Sequence, residues 1–132
     1  MTFFQWSDDL SVGVNMIDSQ HKKLIALINK LSDSAKGKGE IDPYEVFAEL
    51  SDYVSTHFSD EEALMIDNNY AGYDSHVKEH NEFTQEMLRF RQLLDSGDIL
   101  VNDQILTFLK GWLFNHIMKI DKQLSSLKKA KT

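Results

Sequence analysis

The segment Asp42-Pro43-Tyr44-Glu45-Val46-Phe47-Ala48-Glu49-Leu50-Ser51-Asp52-Tyr53-Val54-Ser55-Thr56-His57-Phe58-Ser59-Asp60-Glu61-Glu62-Ala63-Leu64-Met65-Ile66 decides the fold. Its first four residues supply an N-cap, a proline at the first helical position and a glutamate at the third, a reciprocal capping arrangement for orphan N–H groups. Behind that start, Val46, Leu50, Tyr53 or Val54, and Leu64 recur at helical spacing, and the same inward stripe carries His57 and Glu61. Working outward, three breaks punctuate the chain: Gly37 and Gly39 with Lys36 and Lys38, the stretch Asn68 to Asp74 with Gly72, and Ser96-Gly97-Asp98. No stretch alternates with period two, so the chain is all-α. The expected helices cover approximately 18–36, 42–66, 75–96 and 102–127. The first carries Leu24, Ile28 and Leu31, the third Phe83, Met87, Phe90 and Leu94, and the fourth Ile105, Leu109, Trp112, Ile120 and Leu124. Short connections make neighbours antiparallel, which predicts an up-down-up-down four-helix bundle with an N-terminal arm.

Composition bounds what this bundle does. At 132 residues the chain is one domain's worth of protein, 1–132. It contains no cysteine, which excludes disulfides, thiolate metal sites and cysteine nucleophiles together. Twenty-one acidic against 14 basic residues give a net charge of −7, which repels phosphate backbones and argues against a nucleic-acid partner. The N-terminus lacks a basic region followed by an apolar run, and nothing approaches the roughly 18 apolar residues of a membrane span. A cytoplasmic protein without an integral membrane segment is expected.

In the predicted topology the start of the first helix, the end of the second, the start of the third and the end of the fourth share one end of the bundle. His21, His57, Glu61, His76, His80, His116 and Asp121 occupy those places, including all five histidines. Residues four apart share a helix face, so His57 with Glu61 and His76 with His80 each offer two ligands to one site. Either pair alone is weak evidence. Together they place five imidazoles and two carboxylates in a bundle core, which without a metal costs on the order of several kcal/mol per charge. His116 and Asp121 do not share a face in a regular helix, because five residues turn it by about 500°. Either Asp121 reaches sideways to bridge two metals, or a local wide turn brings it round.

At this point the chain resembles the hemerythrin family, and within it the short single-domain bacterial hemerythrins. The resemblance runs from Trp6 to about Asp121. It rests on Gly13-Val14-Asn15-Met16-Ile17-Asp18-Ser19-Gln20-His21, His57-Phe58-Ser59-Asp60-Glu61, His76-Val77-Lys78-Glu79-His80 and His116-Ile117-Met118-Lys119-Ile120-Asp121. It implies two iron ions per chain, one held by His76, His80 and His116 and the other by His21 and His57. Glu61, Asp121 and an oxo or hydroxo group would bridge them. By the same resemblance, dioxygen binds reversibly as hydroperoxide at the five-coordinate His21/His57 iron, for carriage, storage or local delivery to an oxygen-consuming enzyme. No protein acid or base is required, so the chain is expected to be an oxygen-binding protein and not an enzyme. Imidazole with carboxylate suits iron. The Glu-x-x-His motifs of ferritin-like di-iron proteins are absent. A dry pocket must protect the bound oxygen, and Leu113, Ile117 and Met118, which flank His116, are its expected lining.

The alternatives keep or discard the iron. The same centre serves sensing of oxygen, nitric oxide or iron, or peroxide reduction, in the nearest one. His76-Val77-Lys78-Glu79-His80 also fits the H-x-x-E-H pattern of a class of zinc peptidases, with Glu79 as base, but leaves His21, His57 and His116 unexplained. In the favoured reading Glu79 is an exposed helix carboxylate, and the basic tail from Lys128 to Thr132 is a solvated terminus. Trp6 is expected to pack across a bundle end. Gly111 permits either close helix approach or a gas route, and a monomer is expected.

Overall fold

The computed structural model describes residues 3–127. Four α-helices follow one another: α1 Asn15–Ala35, α2 Pro43–Asp67, α3 Tyr73–Asp95 and α4 Asp103–Lys119. Short 3₁₀ turns lie at Asp8–Leu10, Lys38–Glu40 and Asp121–Ser126, and there is no strand among the described residues. Among the described residues, no helix is long and apolar enough to cross a membrane. The tail from residue 128 onward lies outside the described residues.

The boundaries have local causes. Asp42 caps α2 by accepting the Tyr44 N–H at 3.0 Å, and Pro43 follows in the first turn. The return bond expected from Glu45 does not form among the described residues. Asn102 caps α4, accepting from the Ile105 N–H at 3.1 Å. The first helix begins three residues before the expected Asp18. That side chain instead reaches back to accept the Val12 N–H at 2.8 Å and the Ser11 hydroxyl at 2.6 Å. Asp18 is thus a clamp on the incoming arm. Asn29 holds the arm further back, pairing with both the N–H and C=O of Phe4 at 2.8 and 2.7 Å. Phe4, Leu10 and Val12 are buried as a result, and Trp6 packs part-buried against the core with Lys22 over its ring.

Inward faces of all four helices form one apolar cluster, with Leu24, Leu31, Phe47, Leu50, Met87 and Leu109 among its members. Helices α3 and α4 meet through large aromatics: Phe83 lies 4.3 Å from Trp112 and 5.7 Å from Phe108, centroid to centroid. The fourth helix departs from expectation. It does not run on to residue 127 as an α-helix but ends at Lys119, and after Ile120 (φ −111°, ψ −56°) the chain tightens into the 3₁₀ turn Asp121–Ser126. This turn buries Asp121 and Leu124.

Two glycines separate backbone need from packing need. Gly97 has φ +78° after α3, with its own N–H on the Leu94 carbonyl and the Asp98 N–H on the Leu93 carbonyl, which closes the helix end. Gly111 is exposed inside α4, and an added Cβ would meet nothing within 4 Å, so it serves neither helix approach nor a gas route. Gly97→Ala is expected to destabilise the fold by about 1–2 kcal/mol through the left-handed backbone. Gly111→Ala is expected to stabilise it by about 0.5–1 kcal/mol. Urea denaturation of the two variants checks the opposite signs, and equal signs would contradict both assignments.

Candidate metal centre

His21 lies near the start of α1, His57 and Glu61 near the end of α2, His76 and His80 near the start of α3, and His116 near the end of α4. The structure brings all of them and Asp121 together, which requires successive helices to run in opposite directions. Their ligand atoms fall into two groups, each within 4.8 Å: Glu61, His76, His80, His116 and Asp121 in one, His21, His57, Glu61 and Asp121 in the other. All seven residues are buried, and the two carboxylates belong to both groups.

The carboxylates divide atom by atom. Glu61 turns Oε1 toward His76 and His80, at 2.7 and 2.9 Å, and Oε2 toward His57 and His21, at 3.4 and 3.9 Å. Asp121 turns Oδ1 toward His76 and His116, at 3.0 and 3.1 Å, and Oδ2 toward the His21 Nε2 at 3.0 Å. Asp121 therefore faces both groups. It does so where the α-helix gives way after Lys119 to the tighter 3₁₀ turn Asp121–Ser126, in place of the expected wide turn.

Inward-facing nitrogens are Nε2 throughout, and three of the five Nδ1 atoms point outward to partners sequence reasoning did not identify, while those of His21 and His76 are buried without one. His57 Nδ1 meets the Gln20 Oε1 at 2.6 Å, His80 Nδ1 meets the Glu62 Oε2 at 2.9 Å, and His116 Nδ1 meets the Glu79 Oε1 at 2.9 Å. An Nδ1–H donated outward leaves the Nε2 lone pair free to ligate. A signal was present: Gln20, Glu62 and Glu79 each adjoin a candidate ligand in sequence. That places each about 100° round its helix, on a flank. The arrangement corrects the reading of Glu79 as a simple surface carboxylate. It also counts against the peptidase alternative, whose base must face the metal-bound water. Phe58 stacks on His80 at 3.8 Å and Trp112 on His116 at 4.4 Å. Tyr70 points its hydroxyl toward the Gln123 Oε1 at 3.4 Å.

The donor set fits cations at its centre. His21 Nε2, Glu61 Oε2 and both Asp121 oxygens are buried without a hydrogen-bond partner, although nitrogens stand close to them. Such orphaned polar atoms cost about 1–3 kcal/mol each. Neighbouring ligands about 2.1 Å from one ion and at right angles to it lie about 3.0 Å apart. Several of the observed contacts have that spacing. The His76 and His116 Nε2 atoms also face each other at 3.2 Å.

Without metal the centre balances charge with protons. Burial opposes the charged forms of His76 and His116, but Asp121 and Glu61 beside them prevail and raise them to about 9 and about 10. Burial lowers His57 to about 4 against the pull of Glu61. Burial and the Asp121 charge work against ionisation of Glu61, yet His116, His76 and His80 hold its carboxyl below the usual range. Asp121 is likewise depressed, burial being outweighed by His116, His21 and His76. At pH 7 His76 and His116 are thus protonated in the metal-free chain and must lose those protons to ligate. Loading is expected to release at least two protons per centre, those of His76 and His116, with one more for a bridging hydroxide formed from water, and to tighten as pH rises. Calorimetric titration in buffers of different ionisation enthalpy measures the count, and zero release contradicts this charge balance.

Just inward of the ligands lies a small apolar cavity lined by Leu24, Val54, Phe58, Trp112 and Leu113 among others. Leu24, Val54 and Leu113 each lie three residues from His21, His57 and His116 respectively. Ile117, fully buried, and the half-buried Met118 lie outside it.

Residues 12–127 match the family described as Hemerythrin HHE cation binding domain. A bacteriohemerythrin of Pseudomonas aeruginosa (strain LESB58) is 39% identical over 121 residues, covering 92% of this chain and 78% of that one. A bacteriohemerythrin of Methylococcus capsulatus is 31% identical over 123 residues, covering 92% and 94%. The crystal structure of wild-type hemerythrin is similar with a TM-score of 0.90 at 29% identity, over 95% of this chain and 97% of that one. The paired buried ligand groups, the bundle that assembles them and these similarities lead to one conclusion: the chain belongs to the hemerythrin family.

Proposed function

We propose that this chain, acting as a single domain, binds dioxygen reversibly at a di-iron centre. His76, His80 and His116 would hold one iron, His21 and His57 the other, and Glu61 and Asp121 would bridge them. The observation that carries this reading is the unequal division of the histidines, three to one group and two to the other, about carboxylates that turn one oxygen to each. The group with fewer histidines is the one with room for an exogenous ligand. Two ferrous ions supply the two electrons that dioxygen takes up.

The protein residues supply the rest. The five imidazoles and two carboxylates hold the centre in place, and the outward bonds from Gln20, Glu62 and Glu79 fix three of the rings. Leu113, Leu24 and Val54, each three residues from a ligand histidine, line a small apolar cavity with Phe58, and Ile117 is fully buried in the core; these side chains would keep the surroundings of the centre apolar. Excluding water there protects the oxygenated state from displacement by water or anions. Met118, expected in that lining, is half-buried and is not among the residues that line the cavity. No acid or base is needed for reversible uptake, which supports binding over turnover.

The test is the optical spectrum of the anaerobically reduced protein on exposure to air and then argon, with iron counted per chain. Two irons and a visible ligand-to-iron band that appears in air and vanishes under argon are expected. A band that persists under argon contradicts reversible carriage and supports the sensing or peroxide-reducing alternative. His57→Ala and Glu61→Ala are expected to lower iron content and abolish the band, and a reversible band with two irons in either variant overturns the assignment. Leu113→Asn is expected to shorten the lifetime of the band in air by about tenfold, equivalent to about 1.4 kcal/mol in barrier.

A further inference from the structure

The outward hydrogen bonds form a directional ring that is chemically uneven. Gln20 of α1 reaches His57 of α2, Glu62 of α2 reaches His80 of α3, and Glu79 of α3 reaches His116 of α4. The ring is open between α4 and α1, where the buried His21 Nδ1 has no partner. Both carboxylates in the ring stand behind histidines of the three-histidine group. Behind the two-histidine group there is only a neutral amide. Asp60 stands one step further out, accepting from the Gln20 Nε2 at 2.8 Å, so its charge reaches His57 only through that amide.

A carboxylate accepting an Nδ1–H makes the opposite nitrogen a stronger donor and sets negative charge behind the ring. Both effects favour the ferric over the ferrous ion. Water weakens the charge of Glu62 and Glu79, whose side chains are 27% and 37% exposed, but no lysine or arginine pairs with either among the described residues. The rings they touch are shielded on one face by Phe58 and Trp112, which limits the screening.

We propose that Glu62 and Glu79 are positioning residues that make the iron at His76, His80 and His116 the first to be oxidised when a one-electron outer-sphere oxidant removes a single electron from the diferrous centre. The iron at His21 and His57 then remains ferrous and keeps its open position. This inference rests on the di-iron reading above.

The test is stepwise spectroelectrochemical oxidation of the iron-loaded full chain, with iron counted and circular dichroism recorded for each variant. Glu62→Gln and Glu79→Gln are each expected to raise the lower of the two potentials, by about 59 mV for a tenfold change in the ferric-to-ferrous ratio. The upper potential should move less. Gln20→Glu, made together with Asp60→Asn so that two carboxylates do not meet, puts a carboxylate directly behind His57, and is expected to lower the upper potential and narrow the gap. This opposite sign is one that a merely structural role does not produce, and it keeps the test open where a Glu→Gln variant fails to fold or load. Two-iron variants whose potentials stay fixed or move equally overturn this inference alone, whereas a wild-type chain that holds fewer than two irons overturns the di-iron reading with it.

Discussion

Two carboxylates buried at one end of an apolar bundle govern this structure. Glu61 and Asp121 are fully enclosed, and an enclosed carboxylate without compensation is strongly destabilising. Compensation comes from five imidazoles carried by four helices, so the charge requirement and the helix directions are one constraint. In the metal-free chain the compensating charge is a pair of protons on His76 and His116, raised to about 9 and about 10. With two divalent ions in place it would come from the metals, and folding and loading would be coupled.

Outward from that centre the protein is built in shells of decreasing polarity toward the core and increasing polarity toward solvent. Inward, Phe58 and Trp112 stack on two ligand rings, Phe83 packs beneath them, and the apolar cavity follows. Laterally, Gln20, Glu62 and Glu79 link each of the first three helices to a histidine on the next. Each shell constrains the one inside it: stacking fixes the tilt of an imidazole, and an outward hydrogen bond fixes its rotation and tautomer.

Much of this was legible in the chain because helical periodicity and ligand spacing are local. The capped start at Asp42 and the spacings from His57 to Glu61 and His76 to His80 required only the geometry of one helix. The departures arise where a tertiary contact overrides a local pattern. Asp18 resembled a helix start because an acid in that position suits a cap, yet it turned to bind the arm through Val12 and Ser11. The fourth helix kept its apolar rhythm through Leu124, which concealed the change to a 3₁₀ turn after Ile120. The ring of outward bonds was hidden for a different reason. Each bond joins two helices, and its existence depends on their relative rotation, which no single-helix pattern specifies. Gly111 illustrates the converse, a residue that invited a functional reading and faces open space.

The most direct test of the account is the location of iron in crystals of the loaded chain by anomalous diffraction at the iron edge. Two peaks are predicted, one among His76, His80 and His116 and one beside His21 and His57, with Glu61 and Asp121 each contributing one oxygen to each. A single peak, or two peaks that do not share those carboxylates, would contradict it.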